Sequence, residues 1–172
     1  MKEEHTLEEQ DGAKWDYGTI YVRRSIIPDA RAVGSNLRIA DRNELLALTE
    51  LSPVSIIEDG IRDSVACYTI CLRENNTPCA VFGVNGCGDR QVGVVWCLGT
   101  PDLFHVANKF LRNSKFWVKK LGEHYEFLFN VIDARQTVYI KWLKWLGFEF
   151  TQKFEEYGLE RRPFWLFIKK NV

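Results

Sequence analysis

The 172-residue chain has no excess charge of either sign, with 23 Lys and Arg against 23 Asp and Glu. Its total charge therefore selects neither a nucleic-acid coat nor an acidic, disordered chain, and only local patches can carry an electrostatic argument. It lacks any apolar run near the roughly 20 residues of a membrane helix, and Met1-Lys2-Glu3-Glu4-His5 lacks the apolar core of a secretion signal, so no membrane span is expected. It lacks a C-x-x-C pair. The five cysteines, Cys67, Cys71, Cys79, Cys87 and Cys97, are odd in number, which disfavours a disulfide framework or a zinc site and favours reduced core residues. His5, His105 and His124 stand too far apart to suggest a ligand set, so no metal is expected. There is no internal repeat and no low-complexity linker. What the chain does have is apolar mass: 46% hydrophobic and 13% aromatic residues suffice for one domain with a sizeable core.

Residues 1–16 are acidic and aperiodic and read as a flexible arm, leaving 17–172 as a single domain. An edge strand is expected over 17–27, ending at Pro28-Asp29, then a short strand near Leu37-Arg38-Ile39 and a helix over 42–51 capped by Asp41. A second short helix covers 55–63. The period then changes to two: 68–72, 80–84 and 92–98 read as an antiparallel three-strand meander. From Pro101 the apolar spacing is helical through Leu121, with Lys109, Arg112, Lys115, Lys119 and Lys120 forming a basic surface. An apolar strand over 125–132 and a helix over 134–146 follow, with Val138, Trp142, Trp145 and Leu146 inward and Gly147 as C-cap. The segments 148–154 and 164–168 pair to close the sheet. Trp15, Trp142, Trp145 and Trp165 are candidate interface anchors.

A strand-helix-strand unit in mid-chain forces a crossover and a parallel pair. The expected class is thus α+β, a mixed sheet of about six or seven strands flanked by helices, an antiparallel meander followed by a parallel strand-helix-strand unit. Over residues 37–169 this order resembles the GNAT N-acetyltransferase superfamily, and Gln136 with Leu146-Gly147-Phe148 resembles the signature of its last helix. The resemblance implies two splayed central strands with acetyl-coenzyme A in the gap, making Trp96, Leu98, Gly99 and Thr100 cofactor-binding candidates and Asn130, Asp133, Gln136 and Tyr139 a substrate or partner cleft. The chain departs from the family where chemistry is done. The pyrophosphate turn, Leu98-Gly99-Thr100-Pro101-Asp102, has one glycine, a proline without a donor and a carboxylate that repels phosphate. Leu143 stands where the leaving-group tyrosine is common, with Tyr139 one helical turn earlier.

A second resemblance rests on Ala80-Val81-Phe82-Gly83, Gly86-Cys87-Gly88-Asp89, Trp96-Cys97-Leu98-Gly99-Thr100, Asn130-Val131 and Ile140-Lys141-Trp142-Leu143-Lys144-Trp145-Leu146-Gly147. These resemble the internal core, or internal virion, proteins of short-tailed coliphages. That resemblance implies a virion-associated or assembly protein in the host cytoplasm or the particle. It would be a binding protein without catalytic residues or a cofactor, its partners virion, assembly or host proteins rather than nucleic acid. The alternatives are a divergent acetyl-coenzyme A-dependent N-acetyltransferase and a phage protein that inhibits a host factor.

Overall fold

In the computed structural model, which describes residues 14–171, the chain folds into one eight-stranded mixed sheet and five α-helices. The elements are β1 (Lys14–Asp16), β2 (Ile20–Arg24), α1 (Ile27–Gly34), α2 (Ile39–Leu48), α3 (Pro53–Asp63), β3 (Ser64–Leu72), β4 (Pro78–Gly86), β5 (Val92–Gly99), α4 (Asp102–Leu121), β6 (Phe127–Asp133), α5 (Thr137–Trp145), β7 (Glu149–Tyr157) and β8 (Arg162–Lys170). The sheet order is β1-β2-β3-β4-β5-β6-β8-β7, antiparallel throughout except for β5 with β6. The crossover through α4 produces that one parallel pair, as the sequence pattern requires.

Alternation along the strands builds a core on each face. Tyr68, Phe82, Val84, Val95, Leu128 and Ile132 turn toward α4 and α5, whereas Val81 and Leu98 pack with Ala30, Val33 and Ile57 of α1 and α3. On the first face Trp117 of α4 is wedged among Trp15, Tyr68 and Phe82, with ring centroids 5.1, 4.8 and 5.3 Å away. Gly147 ends α5 with φ +90°, the left-handed conformation a C-terminal glycine supplies without strain. All five cysteines are free. No helix among the described residues is long and apolar enough to cross a membrane.

Several expected elements are placed differently. Residues 14–16, read as the end of the arm, form β1 and put Trp15 in the core at 5% exposure; residues 1–13 lie outside the described part. The sheet has eight strands because β1 adds an edge strand beyond those the pattern marked. Pro28-Asp29 does not end a strand but opens α1, where proline fits the first turn. No strand covers 37–39: α2 begins at Ile39, and Asp41 is a buried residue of its first turn rather than its cap. Val138 and Trp145 point outward, at 63% and 52% exposure.

The start of α1 is fixed by Asp29. Its carboxylate accepts two bonds from the Arg23 guanidinium at 2.7 and 2.8 Å, one from the Ile26 N–H at 3.0 Å and one from the Thr69 hydroxyl at 2.6 Å. Burial pushes this carboxyl up, but the Arg23, Ile26 and Thr69 donors outweigh burial and hold it below its ordinary value. Asp29→Ala strands a mostly buried guanidinium, so a loss of about 3–5 kcal/mol is expected in urea denaturation at neutral pH. A loss under about 1 kcal/mol would show the bridge to be dispensable.

Candidate functional site

Three consecutive pairs hold β5 to β6: Val92 with Phe127, Gly93 with Leu128 and Val94 with Phe129. Beyond them the strands part, and the side chain of Asn130 takes the place of the first lost rung. Its Nδ2 donates to the Val95 carbonyl at 2.8 Å, and its Oδ1 accepts the Val131 N–H at 2.7 Å. A strand pair can separate inside a sheet only if its freed backbone groups find such substitutes.

The register of β5 against β4 runs without a bulge from Gly93 to Gly99, so the pleat alternates strictly over this stretch. Val95 and Gly99 turn their backbone groups toward the gap, and Cys97 between them presents its N–H and C=O on the same edge. Gly99 is committed: its N–H donates to Asp41 Oδ2 at 2.9 Å and its C=O accepts the Arg38 N–H at 2.9 Å. Asp41 is also paired with the Arg38 guanidinium, which stacks 4.1 Å over the Tyr139 ring. From the other side Gln136 Nε2 donates to Asp41 Oδ1 and Glu44 Oε2, each at 3.3 Å, and the Asp133 N–H donates to Glu44 Oε2 at 2.9 Å. Thus a polar bridge from the first turns of α2 joins the end of β5 to the end of β6 across the open mouth.

Between the apex at Asn130 and this bridge a cavity of about 450 Å³ passes through the sheet. On the α2–α3 side its wall includes Asp41, Glu44, Asp59 and Asp63; on the other it includes Ser114 and Trp142. A groove of about 810 Å³ between α4 and α5 reaches Cys97 and Tyr139 from that second side. The Tyr139 hydroxyl, on the walls of both, is buried without a hydrogen-bond partner among the described residues.

Burial pushes the Glu44 carboxyl up to about 7, with the Asp41 and Asp133 carboxylates adding to it and the Asp133 N–H and Gln136 amide opposing. Glu44 is therefore poised to exchange a proton near neutrality. Burial also raises Tyr139 well above its ordinary value and the Cys97 thiol to about 12, so both stay protonated. Burial likewise works against ionised Asp133, but the Arg135 guanidinium and N–H hold its carboxyl low and occupy it.

The residues singled out from the sequence fall into three groups. Asn130, Asp133, Gln136 and Tyr139 gather around the gap. Trp96 and Leu98 turn their side chains to the α1–α3 face, Trp96 donating from Nε1 to Asn85 Oδ1 at 2.5 Å and filling the space left by Gly60. Their backbone groups face β4 rather than the gap. The basic surface divides: Lys109 approaches Gly18 and Lys120 lies over Trp15, whereas Arg112 lines the α4–α5 groove and Lys115 sits 4.5 Å over Trp145. Arg38, Asp41, Glu44 and Cys97 were not among the candidates. The spacing Arg38-x-x-Asp41-x-x-Glu44, which puts three charges on one side of a helix, was the available signal.

The turn after β5 does not fit a pyrophosphate. The Gly99 N–H is held by Asp41, the Thr100 N–H by the Cys79 carbonyl at 2.8 Å, and Pro101 has none. The Leu103 and Phe104 N–H groups close on the Thr100 and Pro101 carbonyls at 3.1 Å, and the Thr100 hydroxyl is buried. An exposed Asp102 adds repulsion.

No family model and no curated protein matches the sequence. Solved structures do match the fold. A GNAT-family acetyltransferase from Bacillus anthracis superposes with a TM-score of 0.68 at 10% identity, over 92% of this chain and 98% of that one. Ribosomal-protein-S5-alanine acetyltransferase from Vibrio fischeri gives 0.67 at 12% identity, over 92% and 97%. Ard1 from Thermoplasma volcanium gives 0.68 at 12% identity, over 90% and 99%. The chain has the fold of GNAT acetyltransferases. The expectation of a virion-associated or assembly protein related to phage internal core proteins is overturned: the structures that share its fold are acetyltransferases, and no family model or curated protein links it to phage proteins. The short words behind that expectation, such as Trp96-Cys97-Leu98, are core-strand and turn sequences that many sheets use.

Two variants test the site. Asn130→Ala leaves the Val95 carbonyl and the Val131 N–H without partners, and a loss of about 2–3 kcal/mol is expected in denaturant titration. Glu44 is protonated in the folded chain and ionised in the unfolded one between its ordinary 4.5 and about 7, so it makes stability fall as pH rises through that window. Glu44→Gln removes this slope, so that the variant gains on the order of 2–3 kcal/mol over the parent between pH 4.5 and pH 8, read from urea midpoints at both pH values. Parallel pH profiles of the two proteins would refute the assignment.

Proposed function

We propose that the chain is an N-acyltransferase that moves an acyl group from a thioester to an amine. The observation that carries this reading is the parting of β5 and β6 around a passage through the sheet, with the Cys97 edge on one wall and the Glu44 carboxyl on the other. The fold shared with acetyltransferases supports it. The donor-poor turn after β5 weighs against coenzyme A as the carrier of the acyl group, not against transfer.

The acidic α2–α3 side of the passage, lined by Asp41, Glu44, Asp59 and Asp63, suits a cationic amine. Glu44 takes one proton from the ammonium and passes it to solvent. The free amine attacks the thioester carbonyl, and the Cys97 N–H donates to the oxygen as it gains charge. The carbon–sulfur bond breaks as the amide forms, and the second proton shed by the nitrogen ends on the departing thiolate. Tyr139, kept protonated, donates a hydrogen bond to that sulfur. The Cys97 thiol, also protonated, does not form an acyl-cysteine, and transfer is direct.

The test is release of free thiol from S-acetylpantetheine, a donor without phosphates, in the presence of a panel of primary amines. Amine-dependent release is expected, with Glu44→Gln lowering kcat about 100-fold and flattening the rise in rate near pH 7. No amine-dependent release with any member of the panel would overturn the reading.

A further inference from the structure

The whole chain is neutral, yet α4 carries five Lys and Arg against a single acid, Asp102, and α5 carries two Lys and no acid. Some of these charges are spent on the fold, Lys120 over Trp15 and Lys144 over Phe150, and others are not. Arg112, Lys119 and Lys141 are exposed and make no ion pair among the described residues. Arg112 and Lys141 stand on opposite walls of the groove between the helices, and Lys115 covers Trp145 beside it. The rim of the same groove leaves Phe104, Val138 and Trp145 more than half exposed. Its floor reaches Cys97, the free edge of β5. A basic, aromatic-rimmed surface thus leads down to the point where a thioester would react.

The turn that would seat the two linked phosphates and adenosine of coenzyme A has its Gly99, Thr100, Leu103 and Phe104 N–H groups occupied, no donor at Pro101 and a carboxylate at its tip. We infer that the acyl donor is an acidic carrier protein presenting its thioester on a phosphopantetheine arm. The acidic surface of the carrier docks on α4 and α5 beside Arg112, Lys115, Lys119 and Lys141, and the arm descends the groove to Cys97. This inference rests on the acyltransferase reading and adds to it the donor. Charge complementarity selects the occupant, because an acidic partner neutralises cations that make no ion pair among the described residues. The apolar rim favours a folded protein surface over a nucleic-acid backbone, which needs phosphate contacts alone. Such an arm carries one phosphate where coenzyme A carries three, and that phosphate lies at the mouth, within reach of Arg112 and Lys141 rather than the occupied turn.

Four probes test it on the full chain: a fatty-acid-type acyl carrier protein loaded with acetyl-phosphopantetheine, the same carrier without its arm, acetyl-coenzyme A, and S-acetylpantetheine. The loaded carrier is expected to be used with kcat/KM at least tenfold above acetyl-coenzyme A, and the armless carrier to inhibit it competitively. A double variant, Arg112→Glu with Lys141→Glu, should lose tenfold or more with the loaded carrier while S-acetylpantetheine turnover stays within twofold, which shows that fold and site survive. Equal or better use of acetyl-coenzyme A, no use of the carrier, or carrier use unaffected by the double variant would overturn the donor while leaving transfer itself intact. No turnover of S-acetylpantetheine would remove the acyltransferase reading, and the donor with it. Binding of a 20-nucleotide DNA as tightly as the carrier, lost in the same variant, would reassign the face to nucleic acid.

Discussion

A sheet cannot open in its middle without replacing the hydrogen bonds it gives up, and the Asn130 side chain makes the opening possible here. One amide, donating to Val95 and accepting from Val131, stands in for a backbone rung at the apex of the gap. The mouth meets the same demand with a longer device: Arg38, Asp41 and Glu44 of α2 and its approach satisfy Gly99 on one strand, Asp133 at the end of the other and Gln136 just before α5. Between these two polar closures the Cys97 edge of β5 faces the gap. The cavity is thus a consequence of where the backbone has been satisfied and where it has not.

The same bridge sets the electrostatics of the site. Gathering Asp41, Glu44 and Asp133 within one buried cluster is costly, and the cluster divides the labour. Arg38 holds Asp41, Arg135 holds Asp133, and Glu44, which makes no ion pair among the described residues, answers burial first and its neighbouring carboxylates second with a raised affinity for its proton. The sheet then separates opposite charges: acids gather on the α2–α3 side of the passage, whereas Arg112 of α4 and Lys141 of α5 flank the groove on the other side. A neutral chain is in this way polar across its own central layer.

Much of the fold was legible because it is written in local chemistry. The period-two runs of β3 to β5, the threefold and fourfold spacing of α4 and the glycine after α5 are each decided by residues close in sequence. What escaped was decided at a distance. Pro28-Asp29 reads equally as the end of a strand or the start of a helix, and only the Arg23 and Thr69 groups that Asp29 meets select the helix. Asp41 has the composition of a helix cap, but its partners are Gly99 and Gln136, 58 and 95 residues away. Trp15 sits in an acidic stretch that looks like an arm, and its place in the core follows from pairing β1 with β2 and from the ring of Trp117.

The sequence by itself determined the class of the fold, a meander followed by a crossover, because alternation and helical periodicity need no knowledge of partners. It also determined that the turn at Gly99-Thr100-Pro101 is a poor phosphate cradle, since a proline lacks a donor in any setting. The tertiary structure alone decided that β5 and β6 part at Val95, that Glu44 of α2 faces the gap, and that the cations of α4 divide between β1 and the groove. Each of those outcomes depends on which distant groups satisfy a backbone bond or crowd a carboxylate, and burial and proximity are properties of the folded chain rather than of its order.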